Sequence, residues 1–336
     1  MSEQPSFPEE FYKYDSFHYK KYFQSYPEDL RTSYNRSLRP VLENIKFSRI
    51  IITGSSWSLN AAKIAGDYLE GSLDLLFAES YSETIKIKSD DLVIVISYSG
   101  NGEEASAWLK HARRASAKTI ILTSGGRLTE DSFDTTVIDL TKGLPSRCSS
   151  FTIIGTLLRL FEDAALIPNQ ASEIQQAVDF LRSQSVFKLA EELSSKLYGV
   201  IPLIYSSSTM KNSAKRFKML VNANAKTTAF FNVLPGADYY EGESFLTKNA
   251  SFHALLISSS SDISRLKKKI TVFKNALQSQ GVSVTELNIK GKGLVSTITS
   301  LLIGDVTSYY LALRYKQDPL KENVSKKIKT DMGIFI

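Results

Sequence analysis

The sequence predicts an α/β fold with two parallel sheets, each flanked by helices. Short apolar runs alternate with segments whose apolar residues recur at helical spacing, which is the pattern of consecutive strand–helix–strand units. The alternation occurs twice, over residues 47–140 and again over residues 200–289. In each half the first apolar run ends in a serine-rich turn, at residues 54–58 and 206–208. The two halves are therefore expected to be variations on one plan.

The apolar runs also place the individual elements. Strands of the first half are predicted at 47–54, 73–78, 91–96, 119–123 and 135–140, with helices at 59–70 and 103–115. Strands of the second half are predicted at 200–205, 228–233, 254–258 and 284–289, with helices at 209–223 and 294–314. Ligands bind at the carboxyl ends of the strands in such sheets, so we expect the site there.

The aromatic N-terminal stretch is predicted to form helical turns that cover a neighbouring surface, such as that of a partner subunit. Pro5, Pro8 and Pro27 are expected to interrupt these turns. The tail after residue 315 is basic. These features divide the chain into a helical N-terminal extension (1–45), a first α/β subdomain (46–170), connecting helices with a second subdomain (171–315), and a tail that closes on the site (316–336).

Composition and charge favour a soluble globular protein, since 43% of the 336 residues are hydrophobic and 23% are charged. No apolar run approaches the roughly 20 residues of a membrane span, and we expect no signal peptide at the polar start. The single Cys148 excludes an intrachain disulfide and fits the reducing cytoplasm. The net charge of +6 is spread thinly along the chain, so a nucleic-acid partner is not favoured.

Two serine turns are the strongest chemical signal in the sequence. Ser97 and Ser99 follow one strand, and Ser55 and Ser56 follow Gly54 at the end of another. Each turn opens a helix, whose N–H groups and positive dipole end attract a phosphate or another anion. The alternative is that these serines only cap their helices, but two such turns in one sheet favour anion binding. A nucleoside triphosphate is not expected, since neither turn contains Gly-Lys-Ser/Thr.

A series of short motifs runs through the chain in a fixed order. They are Gly-Ser-Ser at 54–56, Ser-Tyr-Ser-Gly-Asn-Gly-Glu-Glu at 97–104, Leu-Pro-Ser-Arg at 144–147, Asn-Ala-Asn-Ala-Lys at 222–226, Phe-Phe-Asn at 230–232, Leu-Pro at 234–235, Glu at 241, Asp-Pro at 318–319 and Ile-Lys at 328–329. The series resembles the sugar isomerase (SIS) domain, and in particular the bifunctional phosphoglucose/phosphomannose isomerases. The resemblance implies two SIS-type subdomains, a homodimer with sites formed between subunits, and aldose–ketose isomerisation of a phosphorylated sugar without a metal or other cofactor.

The resemblance also implies roles for particular residues. The phosphate-binding group is implied to be the first two turns, with Gly54, Ser55, Ser56, Ser97 and Ser99. Arg147 matches an arginine that stabilises developing negative charge. Lys329 matches a lysine that assists ring opening, and Glu241 matches a carboxylate that the family has beside its catalytic glutamate.

Three positions depart from the family pattern. Gly102 stands where the family has threonine, so one phosphate-binding hydroxyl is missing. Ala223 stands where the family has its glutamate base, and Tyr239 stands where it has histidine. A methyl group cannot accept a proton, and a phenol with a pKa near 10 is a poor substitute for imidazole.

The sequence leaves two functions open. The first is a sugar-phosphate isomerase of altered or lost activity, in which Glu241, Asp238 or Glu243 would replace the base. It is favoured because Arg147, Lys329 and the serines remain. The alternative is a non-catalytic phosphosugar-binding protein or regulator, which needs the serines but no base.

Overall fold

The computed structural model describes residues 7–39, 41–43, 46–133, 135–183, 185–247 and 249–333. The chain divides into two compact units. Of the described residues, those between 7 and 24 and between 179 and 333 form unit 1, and those between 25 and 178 form unit 2. Parts of the expected N-terminal extension (1–6, 40, 44 and 45) and of the expected tail (334–336) lie outside the described residues.

Unit 2 is built around a five-stranded parallel sheet. The strands are β1 (Arg49–Gly54), β2 (Leu75–Ala78), β3 (Asp91–Ile96), β4 (Lys118–Thr123) and β5 (Thr136–Asp139). Their order is β2-β1-β3-β4-β5. The helices up to residue 183 are α1 (Lys20–Asn35), α2 (Ser56–Leu69), α3 (Glu103–Arg114), α4 (Arg127–Glu130), α5 (Ser150–Asp163) and α6 (Ala171–Ser183). The central strands β1 and β3 are buried almost throughout, which explains their continuous apolar runs.

Unit 1 repeats this plan around a four-stranded parallel sheet. The strands are β6 (Ile201–Ser207), β7 (Phe230–Leu234), β8 (Phe252–Ser259) and β9 (Ser283–Ile289). Their order β7-β6-β8-β9 reproduces the order β2-β1-β3-β4 of unit 2. The remaining helices are α7 (Phe187–Leu197), α8 (Lys211–Ala225), α9 (Ser264–Ser279), α10 (Gly293–Arg314) and α11 (Val324–Met332). The predicted α/β fold with two parallel sheets flanked by helices is confirmed.

Helix α10 lies in the core of unit 1. Its Asp305 accepts two 2.9 Å hydrogen bonds from the guanidinium of Arg216 on α8, and both side chains are fully buried. Among the described residues, α10 is the one helix long and apolar enough to cross a membrane by length and composition. However, 89% of its most apolar window is buried inside the structure. It is therefore packed as a core helix.

The N-terminal aromatic residues pack on their own chain. Phe7 stacks on Tyr310 with ring centroids 4.9 Å apart, and Tyr19 stacks on Tyr309 at 5.9 Å. The surface that they cover is thus α10 of the same chain, not one that requires a partner subunit. The expectation that Pro27 interrupts these turns was wrong, because α1 continues through it.

Candidate functional site

The first two serine turns meet at the carboxyl edge of the unit 2 sheet. The ends of β1 and β3 are neighbours, with Gly54 in register with Ile96. The N–H of Ser55 donates to the carbonyl of Ile96 at 3.3 Å. The hydroxyl of Ser55 donates to that of Ser97 at 3.4 Å. The two hydroxyls therefore converge on one place between the strand ends.

Two glycines make this convergence possible. A Cβ at Gly54 would lie 2.0 Å from the carbonyl oxygen of Ile96, so only glycine fits there. A Cβ at Gly102 would lie 2.4 Å from Oγ and 2.7 Å from Cβ of Ser55. Gly102 thus leaves room for the Ser55 side chain, in addition to lacking the threonine hydroxyl of the family pattern.

Both turns open helices that have no side-chain cap. In this part of the described chain, α2 begins after Ser55 and α3 begins after Gly102, and neither residue caps its helix by a side-chain hydrogen bond. Ser97 is fully buried, and its Oγ accepts the N–H of Gly102 at 3.2 Å. Ser56 and Ser99 are exposed. Two helix N-termini and exposed hydroxyls form an edge that suits an anion.

Tyr98, between the two serines of its turn, links this turn to the segment that leads to Arg147. Its phenol donates to the carbonyl of Thr141 at 2.8 Å and accepts the N–H of Leu144 at 2.7 Å. Its backbone N–H donates to the hydroxyl of Ser58 at 2.9 Å. A displacement of the 141–144 segment would therefore be transmitted to the serine turn.

Arg147 lies in a short 3₁₀ turn (Ser146–Cys148) just before α5 and is only 3% exposed. Its guanidinium carbon lies 5.8 Å from the ring centroid of Trp57, which directly follows Ser56. The structure thus places this cation next to the first serine turn, within unit 2. An arginine is permanently charged and stabilises an anion without titrating.

The other predicted site residues lie in unit 1, on different elements. Ala223 is half-buried near the end of α8. Its neighbour Asn224 is fully buried and donates to the hydroxyls of Ser308 at 3.0 Å and Tyr19 at 3.3 Å. These hydrogen bonds give Asn224 a structural role in fixing α8 on α10. Lys329 is exposed on α11.

Tyr239 is 78% exposed and lies under a lysine. The ammonium of Lys269 lies 4.3 Å from the centroid of the Tyr239 ring and forms an ion pair with Asp238. Burial alone would raise the pKa of Asp238, but the hydrogen bond from Lys269 and that from the Gly236 N–H lower it overall. Asp238 is thus held as a carboxylate by Lys269 and is poorly suited to accept a proton.

Glu241 is half-buried and held by its neighbours. Its carboxylate accepts a hydrogen bond from the amide of Asn232 on β7, and the same amide donates to the hydroxyl of Tyr240 at 3.0 Å. Burial raises the pKa of Tyr205, and the negative charge of the nearby Glu241 raises it further. Glu241 is therefore a positioned carboxylate beside a phenol that stays protonated.

Sequence reasoning missed Tyr98 and Trp57 as parts of the site. Tyr98 falls within the Ser-Tyr-Ser motif, but that pattern does not indicate that its phenol would reach residues 141 and 144. Nothing in the sequence indicated that Trp57 would meet Arg147. Among the described residues, no group of three or more His, Cys, Asp or Glu could hold a metal ion.

Comparison with known proteins supports the resemblance. Residues 188–332 match the family model described as the bacterial phospho-glucose isomerase C-terminal SIS domain. A crystal structure of a hypothetical protein from Thermus thermophilus has the same fold, with a TM-score of 0.74 at 13% identity, covering 98% of this chain and 96% of that one. The chain is therefore a protein of the SIS fold.

The sequence relatives are more specific. A bifunctional phosphoglucose/phosphomannose isomerase from Caldicellulosiruptor bescii is 29% identical over 321 residues, which cover 87% of this chain and 92% of the relative. A D-glucosamine-6-phosphate 4-epimerase from Sulfolobus acidocaldarius is 30% identical over 175 residues, or 51% of this chain and 56% of the relative. The predicted resemblance to the bifunctional isomerases is thus confirmed.

Proposed function

We propose that this protein binds the phosphate of a phosphorylated sugar at the serine turns of unit 2 and interconverts the aldose and ketose forms of that sugar. The observation that carries the proposal is the convergence of Ser55, Ser97 and the Gly102 N–H between two helix N-termini. The match of residues 188–332 to a phospho-glucose isomerase domain supports the reaction class.

Arg147 is proposed to stabilise the negative charge that develops on the sugar oxygens. Isomerisation passes through an enediol, whose oxygens carry more negative charge than the ground state. A buried arginine beside Trp57 is oriented before the reaction and stabilises such charge more strongly than water does.

Glu241 is proposed as the base that takes the proton from C2 and returns it to C1. Its carboxylate is held by Asn232, whereas Asp238 is engaged with Lys269. A positioned carboxylate is the group that such a transfer requires. Lys329 is proposed to move the proton when the sugar ring opens.

The assembly and location belong to the same proposal. We propose a cytoplasmic homodimer with sites formed between subunits, and a C-terminal tail from residue 316 that closes on the site. The N-terminal extension (1–45) and the two SIS subdomains (46–170 and 171–315) complete the proposed organisation.

The second candidate is a non-catalytic phosphosugar-binding protein or regulator. Ala223 and Tyr239, at the positions where the family pattern has glutamate and histidine, are the observation that favours it. Such a protein would keep the serine anchor of unit 2 and would need no base.

Hydrogen exchange in heavy water, at C2 of an aldose phosphate and at C1 of a ketose phosphate, separates the two candidates. Glucose 6-phosphate, mannose 6-phosphate and fructose 6-phosphate are each incubated with the protein and followed by NMR. The proposal predicts exchange with at least one of them, its loss in Glu241→Gln, and its retention in Asp238→Asn. Ser97→Ala, at the proposed phosphate site, is compared with Ser132→Ala, in the loop before β5, as its control.

The outcomes have different meanings. If no sugar phosphate undergoes hydrogen exchange, but one of them raises the melting temperature of the wild type and not that of Ser97→Ala, the protein is the non-catalytic binder. If none exchanges and none stabilises the protein, both candidates fall. Activity that rises in the double variant Ala223→Glu/Tyr239→His would show that the scaffold accepts the family's proton-transfer groups.

A further inference from the structure

The duplicated plan gives the serine turns of unit 2 a counterpart in unit 1. Strand β6 occupies the place of β1, and β8 occupies the place of β3. The turn after β6 (Ser207 to Thr209) therefore corresponds to the turn after β1, and the turn after β8 (from Ser259) corresponds to the turn that follows β3. The counterparts of the first serine turns are rich in hydroxyls as well.

A carboxylate occupies the space between the two unit 1 turns. Asp262 is only 4% exposed. One of its oxygens accepts the hydroxyl of Thr209 at 2.5 Å, and the other accepts the backbone N–H of Ser259 at 2.8 Å. The hydroxyl of Ser207 lies 3.0 Å from that of Thr209. Asp262 thus bridges the turn after β6 and the turn after β8 with both oxygens.

The surroundings of Asp262 suit a negative charge. It lies two residues before the start of α9, whose N-terminus carries the positive end of the helix dipole. Lysines line the neighbouring turns, since the ammonium of Lys267 donates to the carbonyl of Ser260 at 2.7 Å, and Lys290 and Lys292 flank Gly291, whose carbonyl accepts the Ser260 hydroxyl at 3.0 Å. The corresponding turns of unit 2 are instead joined through the hydroxyls of two serines.

We propose that the two unit 1 turns form a second oxyanion cradle, made of the hydroxyls of Ser207 and Thr209 and the N–H of Ser259. The carboxylate of Asp262 occupies this cradle, so the chain binds phosphate in unit 2 but not in unit 1. This carboxylate takes the two kinds of donor, a hydroxyl and a backbone N–H, that a phosphate would take. A phosphate cannot enter while the carboxylate is there, because it would meet a like charge and find the donors engaged. This inference rests on the proposed function only in so far as it compares the unit 1 turns with the proposed anion site of unit 2.

The test is phosphate binding to the wild-type protein and to Asp262→Ser. Serine removes the charge and shortens the side chain, and it keeps a hydroxyl for the turn. Calorimetric titration with inorganic phosphate is expected to show a second bound phosphate per chain in Asp262→Ser. Asp238→Ser, which removes an ion-paired aspartate of the same unit outside the cradle, is expected to show none. A folded Asp262→Ser without additional phosphate binding would overturn the proposal.

A measurement on the wild-type protein keeps the proposal testable if the variant does not fold. Backbone amide signals are followed by NMR during a titration with inorganic phosphate. The proposal predicts that the N–H of Ser259 does not shift, because its acceptor, the Asp262 carboxylate, repels phosphate. The acceptor of the Gly102 N–H is instead the neutral hydroxyl of Ser97, which a phosphate can replace. A saturable shift of Ser259 in the wild type would contradict the proposal.

The same titration separates this inference from the proposed function. If the Gly102 N–H fails to shift, the anion site of unit 2 is lost. A phosphate that appears at Ser259 only in Asp262→Ser would still support the closed cradle. If Ser259 shifts in the wild type together with Gly102, the anion site stands and the role of Asp262 falls.

Discussion

The two halves of this protein share one strand order, yet their serine turns make different contacts. In unit 2, Ser55 and Ser97 converge beside uncapped helix N-termini, and Gly102 leaves room for them. In unit 1, the equivalent turns are bridged by the carboxylate of Asp262. The comparison teaches that a strand-to-helix turn of the right composition is not sufficient for a ligand site. In unit 1 the carboxylate of Asp262, which lies just before α9, engages donors of both turns.

The largest expected effect is the loss of sugar-phosphate affinity when a turn serine of unit 2, but not of unit 1, is replaced. Ser97→Ala removes a buried hydroxyl that lies at the proposed phosphate site, and a hydrogen bond to a charged group contributes about 1.5–3 kcal/mol. We expect sugar-phosphate affinity to fall about 10- to 100-fold, as measured by calorimetry. Ser259→Ala is the matched change in unit 1 and is expected to leave the affinity unchanged. Equal losses in both variants would contradict the distinction between the turns.

The next largest effect concerns the space beside Ser55. Gly102→Ala places a methyl group 2.4 Å from the Ser55 hydroxyl oxygen, so Ser55 and its backbone must shift. Such overpacking is expected to lower the free energy of unfolding by about 1–3 kcal/mol, with weaker phosphate binding. Chemical denaturation measures the first effect. Adding Ser55→Gly to this variant removes the collision and should restore stability but not binding. If the double variant is as unstable as Gly102→Ala, the collision is not the cause.

A smaller effect is expected at Tyr98. Tyr98→Phe leaves the carbonyl of Thr141 and the N–H of Leu144 without the phenol, at a cost of about 1–2 kcal/mol. Hydrogen exchange should rise in residues 141–147, which carry Arg147. Tyr81→Phe removes an exposed phenol that donates to Glu103 and is the control, with little change expected. Unchanged protection of residues 141–147 would show that Tyr98 does not position them.

The smallest effect distinguishes the acid responses of the two units. Burial lowers the pKa of His253 on β8, and the charge of Lys196 lowers it further. The neutral imidazole therefore stabilises unit 1 fully above the unfolded pKa of about 6.5, and this stability is lost as the pH falls through the lower folded value. In unit 2, the hydrogen bond from Arg49 lowers the pKa of Asp91, so its contribution is lost only in stronger acid, below about 4.

Hydrogen exchange between pH 7 and 5 measures this difference. Strand β8 is expected to lose protection while β1 and β3 keep theirs. In His253→Gln the pH dependence of β8 should flatten. Equal loss in both sheets across this range would contradict the assignment to His253.

Much of the fold could be predicted from the sequence because buried parallel strands leave continuous apolar runs. The runs that end at Gly54 and Ile96 identified the two neighbouring strand ends, and with them the serine turns. The inference failed at Pro27 because tertiary packing outweighed a local preference. Tyr26 packs on Phe151 at 4.3 Å, and α1 remains helical through the proline.

The candidate site could be predicted less completely, because its decisive contacts join residues far apart in sequence. The bond between Thr209 and Asp262 and the phenol of Tyr98 on Leu144 depend on how loops meet at a sheet edge. Residue composition and local patterns do not reveal contacts between loops that are distant in sequence. The collision that a side chain at position 102 would have with Ser55 likewise follows only from the three-dimensional arrangement.

The most direct test of the central claim is a crystal structure of the protein with fructose 6-phosphate. We predict the phosphate at the carboxyl ends of β1 and β3, within hydrogen-bond distance of the Ser97 hydroxyl and the Gly102 N–H, with the unit 1 turns still bridged by Asp262. A phosphate bound between Thr209 and Ser259, with the serine turns of unit 2 empty, would contradict the account.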